Sequence, residues 1–238
     1  GCFREGFCRN WRENCGKWGK KRGFTGDGGG GIVPQVERNS TAVNMTRFVF
    51  DIDKAVAAAA YVTRKKKGGR ISIFELLKTM YAGEREALAA WHRPITGDNF
   101  CSMPKGVVLS RTYNLIKGEV MGTNSDMVKW SQHFSAREGD FVRLVSEPDY
   151  DYLSEREREA LDRGAKFIAS LIAKHGRIAD VLHQLWPEWK NPAGTGKKSI
   201  PLPPEDVLGE VIQDEDEAER VGREIESVQT AKAALQRG

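Results

Sequence analysis

Long apolar runs are missing from this 238-residue chain. No stretch of about 18 consecutive apolar residues occurs, so no membrane span is expected. The N-terminus is basic and aromatic but lacks an apolar central region, which excludes a secretory signal and leaves the cytoplasm as the expected compartment. Histidine and cysteine are scarce, at four each. His92, His133, His175 and His183 fall on separate predicted elements and offer no convergent ligand set, so no metal is expected. His183 reads as a packing or hydrogen-bonding residue near Trp186. Cys2, Cys8 and Cys15 sit at spacings of six and seven, unlike the short pairs of structural zinc sites, and Cys101 stands alone further on. No Gly-x-Ser-x-Gly elbow and no Cys–His pair in a recognisable context is present. Ser110 and Cys101 have no base nearby in sequence, so neither catalysis nor a cofactor is expected. Gly194-Thr195-Gly196-Lys197-Lys198-Ser199 imitates a phosphate loop. It fails because Ser/Thr does not directly follow the Gly-Lys, position 191 is not glycine, and no buried strand precedes it.

What is present is ordinary globular composition, 39% hydrophobic and 29% charged. The net charge of +4 is unevenly spread. Residues 1–44 hold eight basic and four acidic groups, and residues 205–238 hold four basic and ten acidic ones. The middle is therefore mildly basic, which fits an acidic partner. Three regions follow: a basic N-terminal extension at 1–44, a body at 45–208, and an acidic amphipathic C-terminal helix at 209–238. The glycine-rich run 26–31 marks the extension as disordered. Trp11 and Trp18, seven apart, would share one face of a short basic helix if one formed there.

The body reads as mainly α, a compact multi-helix domain with a small antiparallel β element of two to three short strands. A first helix over 51–66 is capped by Asp51, favoured by four alanines, and closed by Gly68-Gly69. A second runs over 71–91, with a possible break at Gly83. Its apolar positions Leu76, Leu77, Met80, Tyr81, Leu88 and Trp91 recur at helical spacing. Pro94 stops it. Segments 130–134 and 141–145 read as strands of a hairpin around 135–140, with 100–103 as a third strand. Ser154 and Glu157 form a capping box for a helix ending before Gly176. Another helix spans 178–186 up to Pro187, and Pro204 begins one at its first turn. Ala218, Val221, Ile225, Val228 and Leu235 trace a stripe expected to pack on the body.

The stretch 78–117 organises the chain: a helix, a constrained loop, a short strand, and a second helix that Ser110 is placed to cap and Gly118 to end. Within it His92, Arg93, Thr96, Gly97, Asp98 and Arg111 form the candidate partner-binding set. They are polar, they lie on or beside one loop, and loops held on a rigid frame commonly carry recognition. Arg93 and Arg111 suit charge-assisted bonds to an acidic partner. The alternative is that Thr96-Gly97-Asp98 merely turns the chain.

This layout resembles the Panacea antitoxin domain, the SocA-like antitoxin family. The resemblance rests on the Lys78 and Tyr81 pair, Pro94-Ile95-Thr96-Gly97-Asp98, Ser102-Met103-Pro104, and the stretch 106–113. It continues in Leu153-Ser154-Glu155, His183 with Pro187-Glu188-Trp189, Ile200-Pro201, and 204–208. Where the family usually has Gly-Pro-Val, this chain has Gly106-Val107-Val108, which restores a backbone N–H. The family-like part begins at Met45, so an upstream start or non-native sequence would account for 1–44. The resemblance implies an antitoxin of a bacterial or prophage toxin–antitoxin pair that neutralises a toxin protein by binding it, without catalysis. Family toxins include alarmone-synthetase-like enzymes. It also implies an alternative, a proteolytic adaptor that hands the toxin to an ATP-dependent, Clp-type protease. The residues themselves admit a third reading, a DNA-binding regulator, from the basic middle and the first helix pair. Glu75, Glu84 and Glu86 suit a DNA groove poorly, so specific nucleic-acid binding is not expected.

Overall fold

The computed structural model describes residues 48–119 and 124–235. The extension 1–44, with its glycine run and its two tryptophans, lies outside the described residues. Among the described residues eight α-helices and five short strands follow in order: α1 (Ile52–Thr63), β1 (Arg70–Ser72), α2 (Ile73–Trp91), β2 (Phe100–Met103), β3 (Gly106–Leu109), α3 (Ser110–Lys117), α4 (Asn124–His133), β4 (Phe141–Arg143), α5 (Glu155–His175), α6 (Ala179–Leu185), β5 (Ile200–Leu202), α7 (Pro204–Val211) and α8 (Glu215–Leu235). The mainly α architecture with a small antiparallel β element is as expected. The strands form one two-stranded sheet, β1–β4, and one three-stranded sheet, β3–β2–β5.

Local chemistry starts the helices. Asp51 accepts the Lys54 N–H at the head of α1, and Ser72 accepts the Glu75 N–H at the head of α2. Ser154 and Glu157 form a reciprocal box on α5. The head of α3 differs from expectation. Ser110 is already helical there, and no side chain of the N-cap residue Leu109 caps the helix. The capping oxygens arrive from Asp98 instead, as described below.

The centre of the fold is the crossing of α2 and α5, where two glycines let the backbones meet. A Cβ on Gly83 would stand 2.9 Å from Leu161 Cδ2, and a Cβ on Gly164 would stand 2.8 Å from both Gly83 N and Thr79 O. Gly83 therefore does not break α2; it opens the space into which α5 packs. Leu76, Leu77, Met80, Leu88, Leu161 and Ile168 are buried around this contact. Tyr81 joins them, with its ring edge-on to Phe100 and to Trp186.

Two local expectations are corrected. Segment 130–134 is not a strand: Trp130 and His133 end α4. Trp130 and Phe134, four apart, both bury and stack with ring centroids at 4.2 Å, so helical packing overrides the aromatics' preference for strands. The expected hairpin is reduced to two isolated antiparallel bridges, Phe134 to Leu144 and Glu138 to Phe141. The ladder partner of β4 is instead β1, with Ile71 opposite Val142. Among the described residues no helix is long and apolar enough to cross a membrane. The stripe on α8 does pack inward, with Val221 and Ile225 buried.

Candidate interaction site

Helix α2 carries four ionisable or hydroxyl-bearing side chains at three- and four-residue spacing, Lys78, Tyr81, Glu84 and Arg85, and each ties down a segment distant in sequence. Lys78 is 1% exposed and donates to the Val107 carbonyl at 2.6 Å. Burial lowers its pKa to about 7. Tyr81 Oη donates to Glu188 Oε1 at 2.7 Å, and Arg85 grips both oxygens of the same carboxylate at 2.6 and 3.2 Å. Glu84 accepts from the Ile95 N–H at 2.6 Å, the Thr96 N–H at 2.9 Å and the Thr96 hydroxyl. Burial raises its pKa to about 7 against the pull of these donors.

The loop after α2 is thus held at its middle by one buried carboxylate, and a second holds its end. Asp98 is wholly buried and accepts from the N–H of Arg111 at 2.9 Å, the N–H of Thr112 at 2.8 Å and the Thr112 hydroxyl at 2.7 Å. Those N–H groups belong to the first turn of α3, so Asp98 caps that helix from twelve residues before its start, where a negative charge also meets the helix dipole favourably. Between the two carboxylates the backbone of Thr96 receives the Asp51 N–H at 2.9 Å. Gly97 has φ +66°, and a Cβ on it would stand 2.1 Å from the Val49 carbonyl oxygen. Position 97 therefore needs glycine both for its left-handed backbone and for the close approach. Gly97→Ala is expected to lower the melting temperature by several degrees, the displacement of 94–98 costing about 2 kcal/mol. A melt of the two proteins side by side measures it; an unchanged transition would mean that the loop does not need its contact with Val49.

The six candidate residues sort by this geometry. Thr96, Gly97 and Asp98 build the loop from inside, and Thr96 and Asp98 use their polar atoms on the protein itself. His92 closes α2 in the left-handed region at φ 60°, the only non-glycine residue with positive φ among the described residues. Arg111 pairs with Asp126 at 2.7 Å and lies over the Phe50 ring at 4.3 Å. Arg93 alone is mostly exposed, its side chain 64% accessible, with Glu224 of α8 at 3.8 Å.

That last contact brings α8 beside the loop. The loop 91–97, the segment 49–54, the start of α5 and the inner face of α8 surround a groove of about 810 Å³. The stripe on α8 was legible; its docking beside the loop was not, because nothing local in 209–238 refers to 92–97. His183 lies elsewhere, stacked on Trp189 at 3.5 Å, while Trp189 Nε1 donates to the Met103 carbonyl at 2.9 Å. Among the described residues no group of three His, Cys, Asp or Glu could hold a metal ion.

No curated protein and no solved structure matches this chain. A family model does match: antitoxin SocA-like, Panacea domain, over residues 76–190. The matched stretch runs from the second turn of α2 to the residue after Trp189, and so contains Lys78, Tyr81, Glu84 and Arg85 together with most of the segments they anchor. Residues 76–190 of this chain are similar to the antitoxin SocA-like, Panacea domain family.

Proposed function

We propose that this protein is the antitoxin of a toxin–antitoxin pair and acts in the cytoplasm by holding its toxin in a direct, non-catalytic complex. The proposed contact surface is the loop 92–98 with the head of α3. In it Arg93 faces the toxin, His92 and Arg111 flank it, and Thr96, Gly97 and Asp98 keep the loop in shape. The observation that carries this reading is the anchoring of the loop by two buried carboxylates, Glu84 and Asp98, inside the family-matched segment. A recognition loop held this firmly loses little conformational freedom on binding, which favours affinity.

The test is co-expression with the neighbouring gene. The neighbouring product alone should arrest growth, and this chain should restore it in a host lacking Clp-type proteases. Restoration only where the protease is present would favour the adaptor reading. Rescue that tracks repression of a shared promoter, with no complex recovered, would favour the regulator.

A further inference from the structure

The groove beside the loop has walls from two sources. Loop 91–97 and the start of α5 lie inside the family-matched segment, whereas 49–54 precedes it and α8 follows it. Its charged groups are unequally committed. Asp51 caps α1, Asp53 is paired with Lys129 at 2.7 Å, and Glu157 is taken by Lys54 and by the Ser154 N–H and hydroxyl. The groove's carboxylates of α1 and α5 are therefore occupied. The guanidinium groups are not: Arg156 is exposed with no ion-pair partner among the described residues, and Arg93 has only the loose contact with Glu224. The apolar surface of the groove comes from the half-buried Trp91 and Val228, while Ile95, Val221 and Ile225 line it but are buried.

We infer that this groove takes an acidic amphipathic segment of the toxin, whose carboxylates engage Arg93 and Arg156 while its apolar side chains lie against Trp91 and α8. We infer also that α8 tunes which segment is accepted. The inference rests on the toxin-binding reading above. Charge complementarity sets the occupant: two cations with spare hydrogen-bonding capacity share the groove with the apolar surface of Trp91 and Val228, and a guanidinium binds a carboxylate in a two-point fork. Glu224 opposes such a segment. It draws on Arg93 and places a negative charge at the groove's rim, so it penalises acidic segments that do not fit closely enough to displace it. Because α8 lies outside the family-matched residues, its face can differ between antitoxins that share the same loop.

The experiment measures affinity of the full chain for the intact, activity-inactivated product of the neighbouring gene, by calorimetry at two salt concentrations. Arg93→Glu and Arg156→Glu should each weaken binding about tenfold or more, with a reduced salt dependence. Glu224→Lys should strengthen it several-fold, and Val228→Trp, which fills the groove from α8, should weaken it. All four positions tolerate the change structurally: Arg93, Arg156 and Glu224 are exposed, Val228 borders open space, and unchanged thermal transitions verify this. Tightening by Arg→Glu, or weakening by Glu224→Lys, would overturn the inference by showing a basic occupant. Loss of binding in Val228→Trp alone, with no response to charge, would show an apolar one and overturn it too. Full affinity in all four variants would place the contact elsewhere and leave the antitoxin reading standing. No binding by the unaltered chain would sink both.

Discussion

Gly164→Val is expected to abolish cooperative folding. At this position α5 passes over α2 with no side chain between them, and an added Cβ would stand 2.8 Å from two backbone atoms, Gly83 N and Thr79 O. Backbone in the middle of a helix cannot yield as a side-chain tip does, so the helices must separate. Their separation opens the layer formed by Leu76, Met80, Leu161 and Ile168. Overpacking of this kind costs about 3 kcal/mol or more, a large part of the stability of a domain this size. Far-ultraviolet dichroism during heating reads the effect directly. Gly209→Ala is the control: nothing lies within 4 Å of a Cβ there, and the residue is inside α7, so stability should hold or rise slightly. A Gly164→Val protein that melts like the unaltered one would mean that α2 and α5 do not meet at these glycines.

Glu188→Ala is expected to cost roughly 3 kcal/mol, because it leaves a largely buried guanidinium, its side chain 20% accessible, without its carboxylate partner. The Glu188 side chain is fully buried, and its two oxygens take three bonds from Tyr81 and Arg85. Removing it strands the Arg85 charge and the Tyr81 hydroxyl together, and releases segment 187–190 from α2. The triple change Tyr81→Phe, Arg85→Met, Glu188→Leu removes the charge as well as its partner and should recover most of the loss. Denaturant midpoints of the three proteins decide the matter. If the single variant is as stable as the parent, the triad contributes no net stability and Trp189 is held by its Met103 and His183 contacts alone. Binding of toxin by the folded fraction should be unaffected, since the triad does not line the groove.

Which parts of this arrangement were legible in the sequence follows from range. Asp51, Ser72 and the Ser154–Glu157 pair act within one turn of themselves, so their helices begin where a reader would place them. Asp98 acts on a helix that starts twelve residues on, and Ser110, the nearer cap candidate, hides it. Glu84 reads as a surface acid in an amphipathic helix; it is buried because the Ile95 and Thr96 N–H groups fold back onto it. Trp130 and Phe134 carry strand preference, yet their four-residue spacing suits a helix once both can bury. Gly83 looks like a weak point in a helix until Gly164 is seen to approach it. The loop 92–98 was legible as a turn rich in polar groups, while the inward direction of Thr96 and Asp98 depends on partners twelve to fourteen residues away, beyond the reach of a local cap, and the presence of α8 beside Arg93 on a contact more than a hundred residues apart.

The most direct test of the central claim uses purified components. The neighbouring gene's product is assayed for its toxic activity in a protease-free mixture, with and without this chain, and the same mixture is run on a sizing column. Direct neutralisation predicts a co-eluting complex and loss of activity that titrates with added chain. A neighbouring product that remains fully active in the presence of an excess of this chain, whether bound or free, would contradict it.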